Sequence, residues 1–401
     1  MKKILLYFIS AFLLVSCSDE IPEHHQPARS GRTILAYLIA NNNLDGNIMQ
    51  NVKWMYESLS AAEDTCTLVV YYKPSSVNSY MKGPEILKFQ SDGFGRINGQ
   101  PILTGTNLTT ENMLNQAERY YASSGISTNP DIMQENLQMM QEISPSWSYG
   151  LIFGSHASGW LPSPHASTFS FGQDGDSKNT IDIPELANTL EQSFDHKLDF
   201  VMFDACMMGT AEVFYELRKA TQYCVASVME TPAVGFPYDR ILTYLYDKEI
   251  DYTNLCNTII EYNEENSLWG TYATVDCSQM EQVAQSVRNE LLTHQSKLEQ
   301  FDYSQVQQYG YIPSYTYFSF DVIDFIQQLN GGTVPSDIQE SINEAVIAKS
   351  SMDCKNFMEI DPKRFCGMGM YFPDRKIRDA WDNYMISSIQ WYYAAGWNEV
   401  H

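Results

Sequence analysis

The sequence predicts an α/β fold: a mostly parallel β-sheet covered by helices on both faces, followed by an accessory C-terminal region. Three features lead there. Short apolar runs rich in strand formers recur between residues 33 and 228, amphipathic stretches separate them, and two of the runs stop abruptly at polar segments that contain glycine. Apolar strands alternating with helices mark a parallel sheet buried on both sides, because each crossover lays a helix on a face.

Taken in order, Thr33 to Ala40 (TILAYLIA) reads as a strand, Asn41, Asn42 and Asn43 as a turn, and the stretch up to Ala62 as an amphipathic helix. Thr67 to Tyr72 (TLVVYY) is a second strand and Ile86 to Gln90 a short edge strand. Helices are expected over Glu111 to Ser123 and Asp131 to Ile143. Tyr149 to Phe153 (YGLIF) is the next buried strand. Asp182 and Glu185 stand three apart around Pro184, a capping-box pattern that starts a helix running to Ser193. Leu198 to Phe203 is again a strand, Gly209 to Ala220 a helix and Tyr223 to Val228 a strand. After Asp239 the pattern changes to helical segments rich in Tyr and Gln. Gly367 to Phe372 (GMGMYF) then supplies one more strand-like run, expected to return to the sheet. No internal repeat or low-complexity tract is visible.

The chain has 401 residues, more than one hydrophobic core usually holds. Its net charge of −24, from 49 acidic and 25 basic residues, opposes binding to phosphate backbones, so nucleic acid is excluded as a partner. Residues 1–17 (MKKILLYFISAFLLVSC) combine two lysines with an apolar run from Ile4 to Val15 and form an export signal, too short for an ordinary membrane span. Leu14, Val15, Ser16 and Cys17 resemble the bacterial lipobox, which implies that Cys17 is acylated and anchors the protein to the outer membrane. Ser18, Asp19 and Glu20 resemble the acidic tag of surface-exposed lipoproteins of Bacteroidetes. The division expected is a signal peptide at 1–17, a tether at 18–31, a catalytic domain at 32–240 and the C-terminal region at 241–401. Contact with the membrane is expected through the anchor alone. Seven cysteines remain after Cys17, with no CxxC and no zinc spacing, so neither a structural metal nor a dense disulfide framework is indicated.

In an open parallel sheet, ligands collect at the carboxyl ends of the strands. Two polar segments sit there: GSHASGW (Gly154 to Trp160) after the Tyr149 strand, and DACMMG (Asp204 to Gly209) after the Leu198 strand. They bring an imidazole, His156, and a thiol, Cys206, to one edge of one sheet. A thiol at a helix start has its thiolate favoured by the helix dipole, and a neighbouring histidine handles the protons. That is the equipment of a cysteine peptidase.

The segments SHASGW, FDACMMGTAEV, METPAVGFPYD and CGMGMYFPD resemble the clostripain family of cysteine peptidases, relatives of caspases and gingipains. The resemblance implies a caspase-like sheet, His156 as general acid and base, and Cys206 as the nucleophile that forms an acyl-enzyme on a protein or peptide substrate. It implies backbone oxyanion donors at Ala157 and Cys206, and Asp204 in the pocket for an Arg or Lys before the cut, with Glu230 lining the same cleft. Relatives commonly carry glycine where this chain has Ala157; a positive φ there would cost alanine about 1 kcal/mol. Some relatives cut themselves between the two catalytic residues, for which Lys178 in the polar stretch GQDGDSKNT is the expected point. No cofactor is required. Asp174, Asp176, Asp182 and Glu185 follow an EF-hand-like frame that Lys178 and Asn179 break, which leaves calcium open without requiring it.

Two other readings compete. A non-catalytic surface lipoprotein of the same fold would bind peptide or glycan, using the aromatic run Tyr309 to Phe318 as a stacking platform. A serine hydrolase is disfavoured, since neither Ser155 nor Ser158 sits in a GxSxG frame.

Overall fold

All seven residues of strand β1 (Thr33–Ile39) are buried. Ile34, Ala36 and Leu38 face one helical layer while Leu35, Tyr37 and Ile39 face the other, the two-sided burial that a continuous apolar run requires. The computed structural model describes residues 31–62, 64–161, 170–176, 179–310, 319–354, 359–373 and 379–400. Cys17, Lys178 and residues 311–318 of the aromatic run lie outside these. Tyr309, which opens that run, is fully buried.

The remaining strands are β2 (Cys66–Lys73), β3 (Glu85–Ser91), β4 (Arg96–Ile97), β5 (Gln100–Pro101), β6 (Glu118–Tyr121), β7 (Tyr149–Gly154), β8 (Leu198–Asp204), β9 (Thr221–Ala226), β10 (Thr271–Asp276), β11 (Gln308–Tyr309), β12 (Ser319–Asp321), β13 (Val346–Ser351) and β14 (Gly369–Met370). The main sheet runs β13-β10-β9-β8-β7-β1-β2-β3-β4-β5, with β6 also on β3. Its centre, β9-β8-β7-β1-β2, is parallel, and antiparallel strands extend it on both sides. One layer contains helices α1 (Asp45–Ser58), α2 (Thr110–Gln116), α6 (Tyr238–Ile241) and α7 (Tyr252–Glu265). The other contains α3 (Pro130–Ile143), α4 (Ile183–Ser193), α5 (Ala211–Leu217), α8 (Met280–Thr293) and the buried Trp381, Trp391 and Trp397. Both cores draw residues from either side of position 240.

Four expectations are corrected. The helix over 111–123 ends at Gln116; Glu118 to Tyr121 instead pair with β3, where Arg119 forks onto Glu85 at 2.7 and 2.8 Å. Cross-strand contacts there override the local pattern. For the same reason β3 is no edge strand, having β2 on one side and β6 on the other. GMGMYF joins a separate three-stranded sheet through β14, while the strands that the C-terminal region returns to the main sheet are β10 and β13. Asp182 stands at the N-cap of α4 without a capping bond, its carboxylate accepting the Ser170 hydroxyl at 2.6 Å.

Candidate active site

Strands β7 and β8 pair in parallel, and their last paired residues are Gly154 and Asp204. His156 and Cys206 each stand two residues beyond that pair, at the same edge of the sheet. They line one cleft of about 480 Å³, together with Asp204, Glu230, Ala157 and Trp269.

The loop carrying His156 is held by three consecutive asparagines that follow β1, each with a separate role. Asn41 donates to Asp174 at 2.6 Å, Asn42 donates to the carbonyls of Ile39 and Gln173, and Asn43 Oδ1 lies 2.7 Å from His156 Nε2. With Asn43 accepting, Nε2 carries the proton and Nδ1 holds the lone pair. Burial lowers the pKa of His156, so the imidazole is neutral at pH 7. Ala157 forms an isolated antiparallel bridge with Phe171; the bonds run from Ser158 N to Ser170 O and from Gly172 N to His156 O, so the Ala157 N–H stands outside the ladder. Ala157 is absent from the residues with positive φ, so the backbone penalty weighed for alanine does not arise.

Cys206 occupies a tight turn between β8 and α5. Met207, directly after it, has φ of 60°, a left-handed conformation costly for a residue with a side chain. Backbone bonds hold the turn there: Met207 N to Met229 O at 3.0 Å, Gly209 N to Ser227 O at 2.7 Å and Gly369 N to Gly209 O at 3.0 Å. A Cβ on Gly209 would come within 2.7 Å of backbone atoms of Ser227 and Val228. One on Gly159 would approach the Met207 carbonyl oxygen to 2.6 Å, so the two polar loops press directly on each other. The helix-dipole expectation is corrected here. Helix α5 begins only at Ala211, and burial, aided by the charges of Glu230 and Asp204, pushes the Cys206 thiol up to about 12. The sulfur is open to the cleft on one side and packed elsewhere, with Thr231 O at 3.9 Å.

Asp204 does not cap α5 either. Its Oδ2 accepts the Phe236 N–H at 3.0 Å and the Tyr238 hydroxyl at 3.1 Å, bonds that leave the acceptor capacity of Oδ1 unused. Burial raises its pKa to about 6 in spite of them. Gly235, at φ of 75°, allows this approach, since a Cβ there would lie 2.6 Å from Asp204 Oδ2. Asn51, buried on α1, donates to Val234 O at 2.8 Å and steadies the same loop. Glu230 lines the cleft partly buried, its carboxyl pKa raised by desolvation, and its carbonyl accepts Trp269 Nε1 at 3.0 Å.

The acidic frame does not converge. Asp174 is turned to Asn41, the Ser127 N–H and hydroxyl, and Lys73, while Asp182 meets Ser170. Among the described residues no group of three His, Cys, Asp or Glu side chains is arranged to hold a metal ion. Asn43, Asn51 and Tyr238 escape sequence reasoning. Three asparagines in a row read as turn formers, and only the polar Asn51 on the apolar face of α1, beside Ile48, Val52 and Met55, hints at a buried task.

A thiol and an imidazole lining one cleft at the carboxyl edge of a parallel sheet, between two helical layers, is the layout of caspase-like cysteine hydrolases. Residues 36–400 match the model of the clostripain family, and the chain belongs to that family of cysteine peptidases. Over 228 residues it is 25% identical to clostripain of Hathewaya histolytica, a match covering 52% of this chain and 41% of that protein, so it spans about two fifths of the curated relative's length. The fold is similar to that of a secreted C11 cysteine protease from Bacteroides thetaiotaomicron solved in complex with an irreversible peptide inhibitor: TM-score 0.71 and 22% identity, covering 92% of this chain and 100% of that one. It is equally similar to an inactive zymogen C11 protease from Parabacteroides distasonis, with TM-score 0.70 and 22% identity, covering 92% and 99%. Among the described residues no helix is long and apolar enough to cross a membrane.

Proposed function

We propose that this protein is an exported cysteine endopeptidase that hydrolyses peptide bonds through a His156–Cys206 dyad, with preference for Arg or Lys before the cut. The observation that supports the reading is the parallel register ending at Gly154 and Asp204, two residues beyond which His156 and Cys206 line one cleft. The thiol is neutral at rest, so its proton passes to His156 Nδ1 as the sulfur attacks the scissile carbonyl. The C–N bond then breaks, the imidazolium returns the proton to the leaving amine, and a thioester remains. Water, deprotonated by the same nitrogen, releases the acid. The Ala157 N–H, free of the ladder, and that of Cys206 are the proposed oxyanion donors. Asn43 accepts from Nε2 throughout and stabilises the imidazolium. The unused Oδ1 of Asp204 is the acceptor proposed for a guanidinium or ammonium, with Glu230 adding charge to the pocket. None of these steps needs a cofactor.

Cys206→Ala and His156→Ala are each expected to abolish hydrolysis of a lysyl or arginyl peptide while leaving the thermal unfolding transition intact. Full activity in either purified variant overturns the dyad. Asp204→Asn is expected to level the preference among peptides that differ only before the cut; a preference that persists transfers the role to Glu230. We further propose a lipid anchor at Cys17 holding the protein at the outer membrane, and maturation, where it occurs, by a cut after Lys178. Intact-mass measurement of the mature protein checks both, and an unacylated start or a nick that survives Lys178→Ala rejects the respective part. A non-catalytic binder would keep the cleft yet show no loss of any activity on Cys206→Ala.

A further inference from the structure

Glu212, the second residue of α5, is an acid with no exposed surface. Its Oε1 accepts the Tyr371 N–H at 2.8 Å, while Oε2, equally buried, makes no hydrogen bond. The backbone explains the first contact. Beyond the nucleophile turn the chain runs beside Gly369 as a parallel bridge at Thr210, with Gly369 N bonded to Gly209 O. The next rung of such a ladder would carry the Tyr371 N–H to the Ala211 carbonyl. Helix α5 starts at Ala211 and takes that carbonyl into its own first turn, so the Glu212 side chain serves as acceptor instead. Tyr371 in turn places its ring 4.9 Å from the ring of Trp160, which closes the His156 segment GSHASGW, and its hydroxyl donates to Asp382 at 2.6 Å. Strand β14, which leads into Tyr371, is held on its far side by β12. One N–H therefore connects the helix that follows Cys206 to a side chain packed on the His156 loop.

An acid is a poor choice for that bond alone, because glutamine would accept the same N–H and a carboxylate oxygen buried without a partner is destabilising. The charged groups on the elements packed around α5 do not offset it. Glu216 on α5 and the residues Glu185 and Glu191 of α4 are acids, Arg288 on α8 pairs with Glu399, and Arg218 past the end of α5 pairs with Glu281. The segments 369–371, Gln390–Ala394 and Cys277–Gln279 bring only tyrosines and a cysteine. Burial pushes the Glu212 carboxyl up to about 7, against the pull of the Tyr371 N–H, its own N–H and the nearby Thr210 hydroxyl. We infer that Glu212 is a positioning residue for the proposed reaction: its neutral carboxyl holds Tyr371 and so steadies the Cys206 turn and the His156 loop together, and its ionised form releases them. The inference rests on the peptidase reading above. In the neutral acid Oε1 keeps the Tyr371 N–H, and the proton on Oε2 has an acceptor in the Thr210 hydroxyl, which is buried and makes no other hydrogen bond. Loss of that proton leaves a buried charge with one bond, relieved when the side chain exchanges Tyr371 for water.

The test compares kcat at saturating arginyl peptide from pH 6 to pH 8.5 in the parent, Glu212→Gln and Glu212→Leu. In the parent kcat is expected to fall about tenfold as pH rises through about 7. The thiol does not supply that limb, since burial holds it near 12. Glu212→Gln keeps an acceptor for the Tyr371 N–H and has no proton to lose, so it should retain most of the parent's kcat at pH 6 and hold it to pH 8.5. Glu212→Leu lacks the acceptor and should be about tenfold slower at every pH, with KM little changed. An alkaline limb that survives in Glu212→Gln, or a Glu212→Leu enzyme as fast as the parent, overturns the inference. Thermal unfolding gives a second readout that needs no turnover. A carboxyl raised from its ordinary 4.5 to about 7 binds its proton more tightly in the folded state, so its stabilising contribution is full below 4.5 and is lost as pH rises through about 7. The Tm of the parent should therefore fall relative to that of Glu212→Gln between pH 5 and pH 8, and parallel curves overturn the inference. A parent that hydrolyses nothing while the Tm curves diverge, or whose hydrolysis survives Cys206→Ala, fails the peptidase reading instead and is distinguished by that pattern.

Discussion

The His156 loop and the Cys206 turn leave adjacent strands at one register, and backbone bonds hold both, but only the first adds a side chain bonded to the ring it presents. Backbone bonds hold the His156 loop too, from Gly172 N to His156 O and from Ser158 N to Ser170 O, but a side chain reaches the ring: Asn43 Oδ1 meets Nε2, while Asn41 and Asn42 brace the adjoining Gln173–Asp174 segment. Backbone fixes the thiol: the N–H groups of Met207, Gly209 and Gly369 close a turn in which no Cβ fits at position 209 and Met207 is left-handed. The imidazole is thus met by a replaceable polar contact. The thiol is set by the path of the chain, which few substitutions can adjust without moving it. A nucleophile needs its position held to tenths of an ångström, while a general base needs its tautomer and pKa held, and the two forms of support match the roles proposed for Cys206 and His156.

The largest effect expected from this contrast is on the thiol side. Gly209→Ala drives a methyl into the Ser227–Val228 backbone and should cost about 1–3 kcal/mol of stability or more, together with most of the activity, because the turn must shift. Thermal unfolding and active-site titration with an irreversible peptide reagent read both; a stable, fully titratable variant breaks the comparison. On the imidazole side the effect should be smaller and separable. Asn43→Ala is expected to lower kcat about tenfold with KM little changed and stability intact, since only orientation and imidazolium stabilisation are lost. Asn43→Asp sharpens the point through its sign. A carboxylate favours the imidazolium, so the acid limb of the kcat/KM profile should move to higher pH than in the parent, whose buried imidazole has a lowered pKa. Equal profiles would mean that Asn43 does not govern His156.

The smallest effect belongs to the specificity pocket proposed at Asp204. Desolvation raises the Asp204 carboxyl to about 6, so it is charged above that pH and neutral below it. The advantage of arginyl over leucyl substrates should therefore shrink as pH falls through about 6, with the leucyl rate as internal control. A ratio constant from pH 5 to pH 8 would take the carboxylate out of cation recognition.

The sequence alone determined the alternation of elements, because a strand buried on both faces must be a continuous apolar run and β1, β2, β7 and β8 can hide nowhere else. It also marked the two breaks in that pattern: GSHASGW and DACMMG are polar at sites where the strands end, and family resemblance added roles for His156, Cys206 and Asp204. Tertiary structure alone decided what surrounds them. Asn43 faces His156 across 113 positions of chain, and Phe236 and Tyr238 meet Asp204 from more than 30 residues away, contacts without any local period. The same holds for β6, read as helix until β3 offered it a partner, and for GMGMYF, which left the main sheet for β12. Local pattern reports which side of an element is apolar; it carries no record of which distant backbone or side chain will be waiting on that side, and here those partners supply the hydrogen bonds at His156 and Asp204 and the strand pairing of β6.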